Sequence, residues 1–284
     1  MRLRLADGSE VEARIKGKRM RPVCGDRVSA ESIANEDDWL ITAIEDRVNA
    51  LTRPNLRGDV EVLAANVDQL VVVAAPSPVP DWFVVDRYVA AAEQMGVRAA
   101  IVYNKTDLDA DAAEHAGILA DYGNIGYTVL ECSAAKRLGL NDLEALLSGQ
   151  TAIIVGQSGV GKSSLINALL GGEEQRTAEI SAKSGEGRHT TVNSVLLDLP
   201  GGGRVIDSPG VRDYAPAFES MAAVAAGFRE IEAASHHCRF ANCRHLREPG
   251  CAVKAGVEDE TISARRYESY RRLLRLTEKL ENQL

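Results

Sequence analysis

The chain contains no apolar run approaching the roughly 18–20 residues that a membrane-spanning helix needs. Its opening residues, Met1 to Gly8, interleave Arg with Leu and hold no apolar core of the kind a secretory signal carries. Both absences point to a cytoplasmic protein without a membrane partner. A basic excess is missing too. Lys and Arg number 33 against 41 Asp and Glu, a net charge of −8, which excludes a globally basic nucleic-acid binder while leaving local patches open. Cysteine is scarce, at five in 284 residues, and three of the five fall between positions 238 and 251. In a reducing compartment that clustering suggests a metal before a disulfide. The remaining composition, 45% hydrophobic and 26% charged, is that of a globular protein, and 284 residues leave room for two or three domains.

The first 65 or so residues also lack any segment periodic enough for a helix. Short alternating stretches at 2–5, 11–15, 26–30 and 39–44, separated by turn residues, predict a small β module. A five-stranded OB-fold barrel of this size is a common oligonucleotide binder. Arg14, Lys16, Lys18, Arg19 and Arg21 would suit RNA phosphates, but no aromatics interleave them, so base stacking is not indicated. Residues 53–58 read as a linker. Apolar strand patterns at 67–75, 99–103 and 127–130 then alternate with helical ones at 82–95 and 141–147, which predicts a parallel sheet covered on both faces.

The richest stretch is Gly156, Gln157, Ser158, Gly159, Val160, Gly161, Lys162, Ser163 and Ser164, between an apolar run at 151–155 and a helical one at 165–170. Strand, G-x-x-x-x-G-K-S, helix is the P-loop in its required context. The glycines let backbone N–H groups turn toward an anion, and the helix dipole adds to the attraction. Lys162 would neutralise the β- and γ-phosphates, and Ser163 would face Mg²⁺.

Two further motifs narrow the base. Asn104, Lys105, Thr106 and Asp107 form an N-K-x-D at a strand's carboxyl end, where such sheets bind ligands. A carboxylate there can accept both guanine N1–H and the exocyclic amine, a donor pair adenine does not present. The Asn would bond the purine edge and link loops, and the Lys stem would lie along the ring. Ser133 and Ala134 follow the next strand, with the Ala134 N–H placed to meet guanine O6. Beyond the P-loop, residues 171–188 read as a mobile loop leading to His189, Thr190 and Thr191. Asp207 and Gly210 then form a D-x-x-G. One of the two threonines would bind Mg²⁺ directly, Asp207 would hold it through water, and Gly210 would sense the γ-phosphate, as in a loop pair ordered by triphosphate.

GTPase motifs ordinarily run P-loop, threonine loop, D-x-x-G, N-K-x-D, S-A. Here the last two come first and the cyclic order is kept. That is a circular permutation, with the ancestral ends joined near residues 148–150. The D-x-x-G therefore leads into the C-terminal region, where a helical 221–234 precedes Cys238, Cys243, His245 and Cys251. Three thiolates and an imidazole make a closed structural zinc set. His236 and His237 adjoin Cys238 as competing ligands, but His245 lies between the cysteines. His115, isolated in a helical segment, is expected to be exposed. The tail, 262–284, reads as a charged helix packing through Leu273, Leu274, Leu276 and Leu280.

The permuted order, the β-rich N-terminal module and Cys-x₄-Cys-x-His-x₅-Cys resemble the RsgA (YjeQ) family. So do Gly25-Asp26-Arg27-Val28, the 65–69 stretch, Asp86-Arg87-Tyr88, the 187–191 stretch and Glu248-Pro249-Gly250-Cys251. The resemblance implies an α/β protein with an N-terminal OB-fold barrel (1–62), a central permuted GTPase domain (63–216) and a mostly helical zinc domain (217–284). It implies a monomeric GTPase acting late in small-ribosomal-subunit maturation. Such an enzyme would bind the subunit and its rRNA in the GTP state and hydrolyse GTP to leave, with one structural Zn²⁺ and a nucleotide-bound Mg²⁺. Ras-type enzymes place a glutamine just after D-x-x-G to position water. Val211 stands there instead, which predicts slow intrinsic hydrolysis stimulated by the subunit. His189 is the candidate to orient water, acting beside Lys162. A P-loop ATPase or kinase would explain 156–163 but not N-K-T-D. A passive zinc RNA-binding protein would leave the P-loop idle.

Overall fold

The structure, a computed structural model, describes residues 1–17, 19–54, 60–172, 194–208, 218 and 220–281. The N-terminal strands are β1 (Arg2–Arg4), β2 (Glu10–Ile15), β3 (Val28–Ser32) and β4 (Trp39–Ile44), in the sheet order β1-β2-β4-β3. The outer pairs are antiparallel and β2–β4 is parallel. A separate antiparallel ribbon follows, β5 (Ala50–Pro54) with β6 (Val60–Ala65). The stretch read as a linker therefore begins inside a paired strand. Leu51 and Ala64 of the ribbon join the main core, so burial holds it in place.

The joint between the sheet and the ribbon is built from the motifs that stood out in the sequence. Asp26 accepts from the Val23 N–H and from Arg47 through two bonds of 2.7 and 2.8 Å. Asn66 accepts from the Val48 N–H and donates to Gly25 O, each at 2.9 Å. Asp68 accepts from the Thr151 N–H at 2.7 Å, which ties the joint to the central sheet.

That sheet comprises β7 (Gln69–Ala74), β8 (Arg98–Tyr103), β9 (Thr128–Glu131), β10 (Thr151–Gly156), β11 (Val195–Asp198) and β12 (Arg204–Asp207). Its order is β11-β12-β10-β7-β8-β9, parallel except for β11. β7 and β10 are buried at every position, as central strands covered on both sides must be. On one face Leu70, Val72, Ile101 and Ile153 meet α1 (Trp82–Met95) and α2 (Ala112–Ile125). On the other, Val71, Val73, Val102 and Ile154 meet α3 (Leu140–Leu147) and α4 (Lys162–Leu169). The Asp81 carboxylate caps α1 by accepting from the Phe83 and Val84 N–H groups.

The C-terminal unit contains α5 (Met221–Ala226), α6 (Arg229–Ser235), α7 (Ala252–Glu258) and α8 (Ala264–Glu281). The single helix expected at 221–234 is two helices. Gly227 packs so tightly on Ala90 of α1 that a Cβ would lie 2.9 Å from the Ala90 Cβ. Phe228 then turns extended and is fully buried against the C-terminal core. The unit is fastened to α1 by a buried ionic network. Arg266, with no exposed surface, donates to Asp86 Oδ1 at 2.8 Å and through its fork to both Glu230 oxygens at 2.7 and 2.9 Å. Tyr122 and Arg265 complete the Asp86 carboxylate at 2.6 and 2.9 Å. None of the described helices is long and apolar enough to cross a membrane.

Candidate nucleotide and metal sites

The carboxyl ends of β10 and β8, and the turn after β9, carry the three motif loops to one edge of the sheet. Gly156 ends β10 at φ +134°, and a Cβ there would stand 2.2 Å from Val73 O on the neighbouring strand. Gly161 caps α4 at φ +94°, where a Cβ would stand 2.4 Å from Asn104 Nδ2. Only glycine fits either place. Lys162 curls back so that Nζ donates to Gly156 O and Gln157 O, both at 2.8 Å. Gln157 Oε1 accepts from the Asp81 N–H at 3.2 Å, Val160 is buried, and Ser158, Gly159, Ser163 and Ser164 lie exposed along the loop and first helical turn.

Asn104 joins the motifs. Only 1% exposed, it donates from Nδ2 to Val160 O in the P-loop at 2.9 Å and accepts the Ala134 N–H at 3.1 Å. One side chain thus ties together segments 56 and 30 residues away. Lys105, at φ +62°, spans toward the P-loop and donates to Gly159 O and Ser77 O, each at 2.7 Å. The Ser133 hydroxyl donates to Asp107 Oδ1 at 2.5 Å, and Thr106 hangs its N–H and hydroxyl on Cys132 O at 3.2 and 3.1 Å. Sequence reading missed the 75–81 loop as a wall of this site, where Ser77 O meets Lys105 and the Asp81 N–H meets Gln157.

Asp207 ends β12 in register with Ile154, beside the strand that enters the P-loop. Ser208, next along, is buried and hydrogen-bonded to Ser194 at 2.8 Å. His189, Thr190, Thr191 and Gly210 lie outside the described residues, as do Lys18 and Val211. Within the N-terminal basic cluster Arg14 is committed to Glu36 and Asp38, at 2.9 and 2.8 Å. Lys16, Arg19 and Arg21 are exposed.

The ligand atoms of Cys238, Cys243, His245 and Cys251 lie within 4.8 Å of one another. Cys238 and Cys251 Sγ are 3.9 Å apart, and each is 3.5 Å from His245 Nδ1. Tetrahedral zinc with its usual bond lengths would set S···S near ~3.8 Å and S···N near ~3.6 Å, so the donor set fits that ion. Burial, and then the neighbouring Cys251 and Cys238 thiols, push Cys243 up to about 12, whereas burial pushes the His245 imidazole down toward its neutral, ligating form. A divalent cation is the charge such a set calls for. His236 and His237 are exposed and outside the cluster.

Glu248 braces the ligand loop. Its carboxylate accepts from the Arg244, Leu246 and Arg247 N–H groups at 2.8–2.9 Å. Burial alone would raise this group, but the backbone donors outweigh it and bring it to about 2. Tyr270 donates to Arg244 O at 3.1 Å, and Tyr267 donates to His245 O. Glu248 stood in the quoted E-P-G-C without a role, because its partners are backbone groups that no motif names.

The profile of the RsgA GTPase family matches residues 44–216. The chain belongs to that family. A relative from Azotobacter vinelandii, named small ribosomal subunit biogenesis GTPase RsgA, is 44% identical over 254 residues, covering 89% of this chain and 74% of its own. One of the same name from Pseudomonas aeruginosa PAO1 is 41% identical over 271 residues, covering 95% and 80%. YjeQ from Thermotoga maritima superposes with a TM-score of 0.75 at 28% identity, over 96% of this chain and 91% of that one. YloQ, described as a circularly permuted GTPase, gives 0.70 at 27%, over 96% and 88%. Membership of the RsgA family makes the chain a GTP-hydrolysing enzyme with a permuted catalytic domain, as the motif order implied.

Proposed function

We propose that this GTPase acts in small-ribosomal-subunit biogenesis, joining the subunit with GTP bound and leaving after hydrolysis. The relatives' names support the subunit as partner. The observation that carries the nucleotide reading is Asn104, whose two hydrogen bonds hold the N-K-T-D, S-A and P-loop segments in one constellation. In this reading Asp107 reads the guanine edge and the Lys105 stem lies along the ring, while Asn104, Thr106, Ser133 and Ala134, expected to touch the base, spend their polar groups on holding the loops around it. Residues 156–164 take the phosphates, with Lys162 turning from its loop carbonyls to the anion. Ser163 and one of Thr190 and Thr191 would hold Mg²⁺, with Asp207 and Gly210 behind them. The metal of the Cys₃His set is zinc, and its role is to fold the loop 238–251.

The work divides among an N-terminal module (1–62), which lays Lys16, Arg19 and Arg21 on rRNA, the GTPase unit (63–216) and the zinc unit (217–284). His189 orients the attacking water once the subunit is bound. GTP turnover measured with and without purified small subunits tests the scheme, alongside co-sedimentation in GDP and in a non-hydrolysable GTP analogue. Stimulated turnover and GTP-dependent co-sedimentation are expected. Nucleotide-independent binding without stimulation would overturn it, and unchanged stimulated turnover in His189→Ala would remove His189 from the chemistry.

A further inference from the structure

The N-K-T-D segment is bracketed by two side chains that meet behind it. Tyr103 is the last residue of β8, just before Asn104, and Asp109 closes the single 3₁₀ turn Thr106–Leu108 that carries Asp107. The Tyr103 hydroxyl donates to Asp109 Oδ2 at 2.9 Å. His115, on α2, sets Nδ1 2.9 Å from Asp109 Oδ1 and 2.7 Å from the Tyr103 oxygen. The Asp111 N–H adds a third donor to the carboxylate at 3.1 Å. His115 is therefore not the exposed residue its isolation in the sequence suggested: its side chain is 11% exposed and that of Asp109 is 6%. Trp82 covers both rings, with centroids 6.3 Å from Tyr103 and 6.2 Å from His115. Burial would raise Asp109, but the His115 and Tyr103 hydrogen bonds outweigh it and keep the carboxyl below its ordinary range.

Asp107, by contrast, is exposed, and its side chain is held through one oxygen by Ser133. Its aim follows from the turn it sits on. That turn closes through Leu108 N–H to Lys105 O at 2.9 Å and Asp109 N–H to Thr106 O at 3.3 Å. Thr106 pins the turn in front, on Cys132 O, and Asp109 pins it behind. A carboxylate that must meet two donors on one purine edge tolerates a misplacement of only about 0.5 Å. A half-exposed turn with a loose back anchor would exceed that.

We propose that Tyr103, Asp109 and His115 form a positioning cluster that sets the aim of Asp107 and thereby the guanine selectivity of the site. The proposal rests on the reading of Asp107 as the guanine-recognising carboxylate. The three residues touch neither base nor phosphate; they act through the turn.

Inosine diphosphate tests this, because it lacks the 2-amine and keeps every other group of GDP. Affinities of GDP and IDP, read by displacement of a fluorescent GDP, are compared in wild type, His115→Ala, His115→Asn, Tyr103→Phe and Asp107→Asn, with thermal midpoints for each. Asp107→Asn should bring the GDP:IDP preference close to one. His115→Ala should reduce that preference about three- to tenfold, the equivalent of one hydrogen bond lost, while IDP affinity stays within about twofold. His115→Asn should restore most of it, since an amide can donate from near the Nδ1 position. Tyr103→Phe removes a single hydroxyl, so it reports even if His115→Ala fails to fold. Lowered thermal midpoints with an unchanged GDP:IDP ratio in both His115→Ala and Tyr103→Phe would reduce the cluster to packing and overturn the proposal. An unchanged ratio in Asp107→Asn would instead overturn the reading of Asp107 itself.

Discussion

Arg266 is where the C-terminal unit is fastened to the GTPase core, and replacing it with alanine should loosen that joint. Its guanidinium is fully buried and makes three charge-assisted bonds, one to Asp86 and two to Glu230. Asp86 is itself fully buried, so Arg266→Ala leaves a carboxylate with only Tyr122 and Arg265 to balance it. Removing one member of a buried pair costs about 3–5 kcal/mol, most of it the penalty on the charge left behind. At about 2–4 °C per kcal/mol for a chain of this size, the thermal midpoint should fall by about 6–20 °C. Arg266→Lys keeps the charge but loses the fork, so an intermediate loss is expected. Unfolding followed by tryptophan fluorescence is well placed, since the Trp82 ring lies 5.8 Å from the Arg265 guanidinium carbon. A double-mutant cycle with Glu230→Gln should show coupling above about 1 kcal/mol. A loss below about 1 kcal/mol for Arg266→Ala, or additivity with Glu230→Gln, would refute the account.

Two other outcomes are equally concrete. Gly161→Ala would push a Cβ against Asn104 Nδ2 in a conformation L-residues avoid, so fluorescent-GDP titration should show affinity reduced at least about tenfold. Stripping the chain with a strong chelator should release one zinc per chain to a colorimetric indicator. It should also lower the stability of the C-terminal unit while GDP binding persists, and Cys251→Ser should reproduce both effects.

The parts of this protein that were legible in sequence are those whose physics is local. A P-loop needs glycines at fixed spacing between a strand and a helix, and Gly156 and Gly161 occupy backbone positions where any side chain would collide. β7 and β10 read as apolar runs over 70–74 and 152–155 because both faces of the sheet are covered. What escaped depends on partners far along the chain. Asp86 and Arg266 are 180 residues apart, and nothing in either neighbourhood announces the other. His115 looked solitary because its two partners sit on a strand end and a turn, and not on its own helix. The helix break at Gly227 was set by the closeness of Ala90, and the ribbon at Ala50–Pro54 by the core beneath it.

The position of β7 bears on how the chain is made. It is the first strand of the central sheet to be synthesised and lies inside it, between β8 and β10. β8 and β9 then add outward on one side, and only afterwards do β10, β12 and β11 fill the other. A nascent chain folding from its N-terminal end thus lays down the base-contacting half around a finished central strand before the phosphate loop has been translated. Asn104, its oxygen already met by the Ala134 N–H, then holds Nδ2 open for Val160 to arrive, and the nucleotide pocket closes as a late step of synthesis.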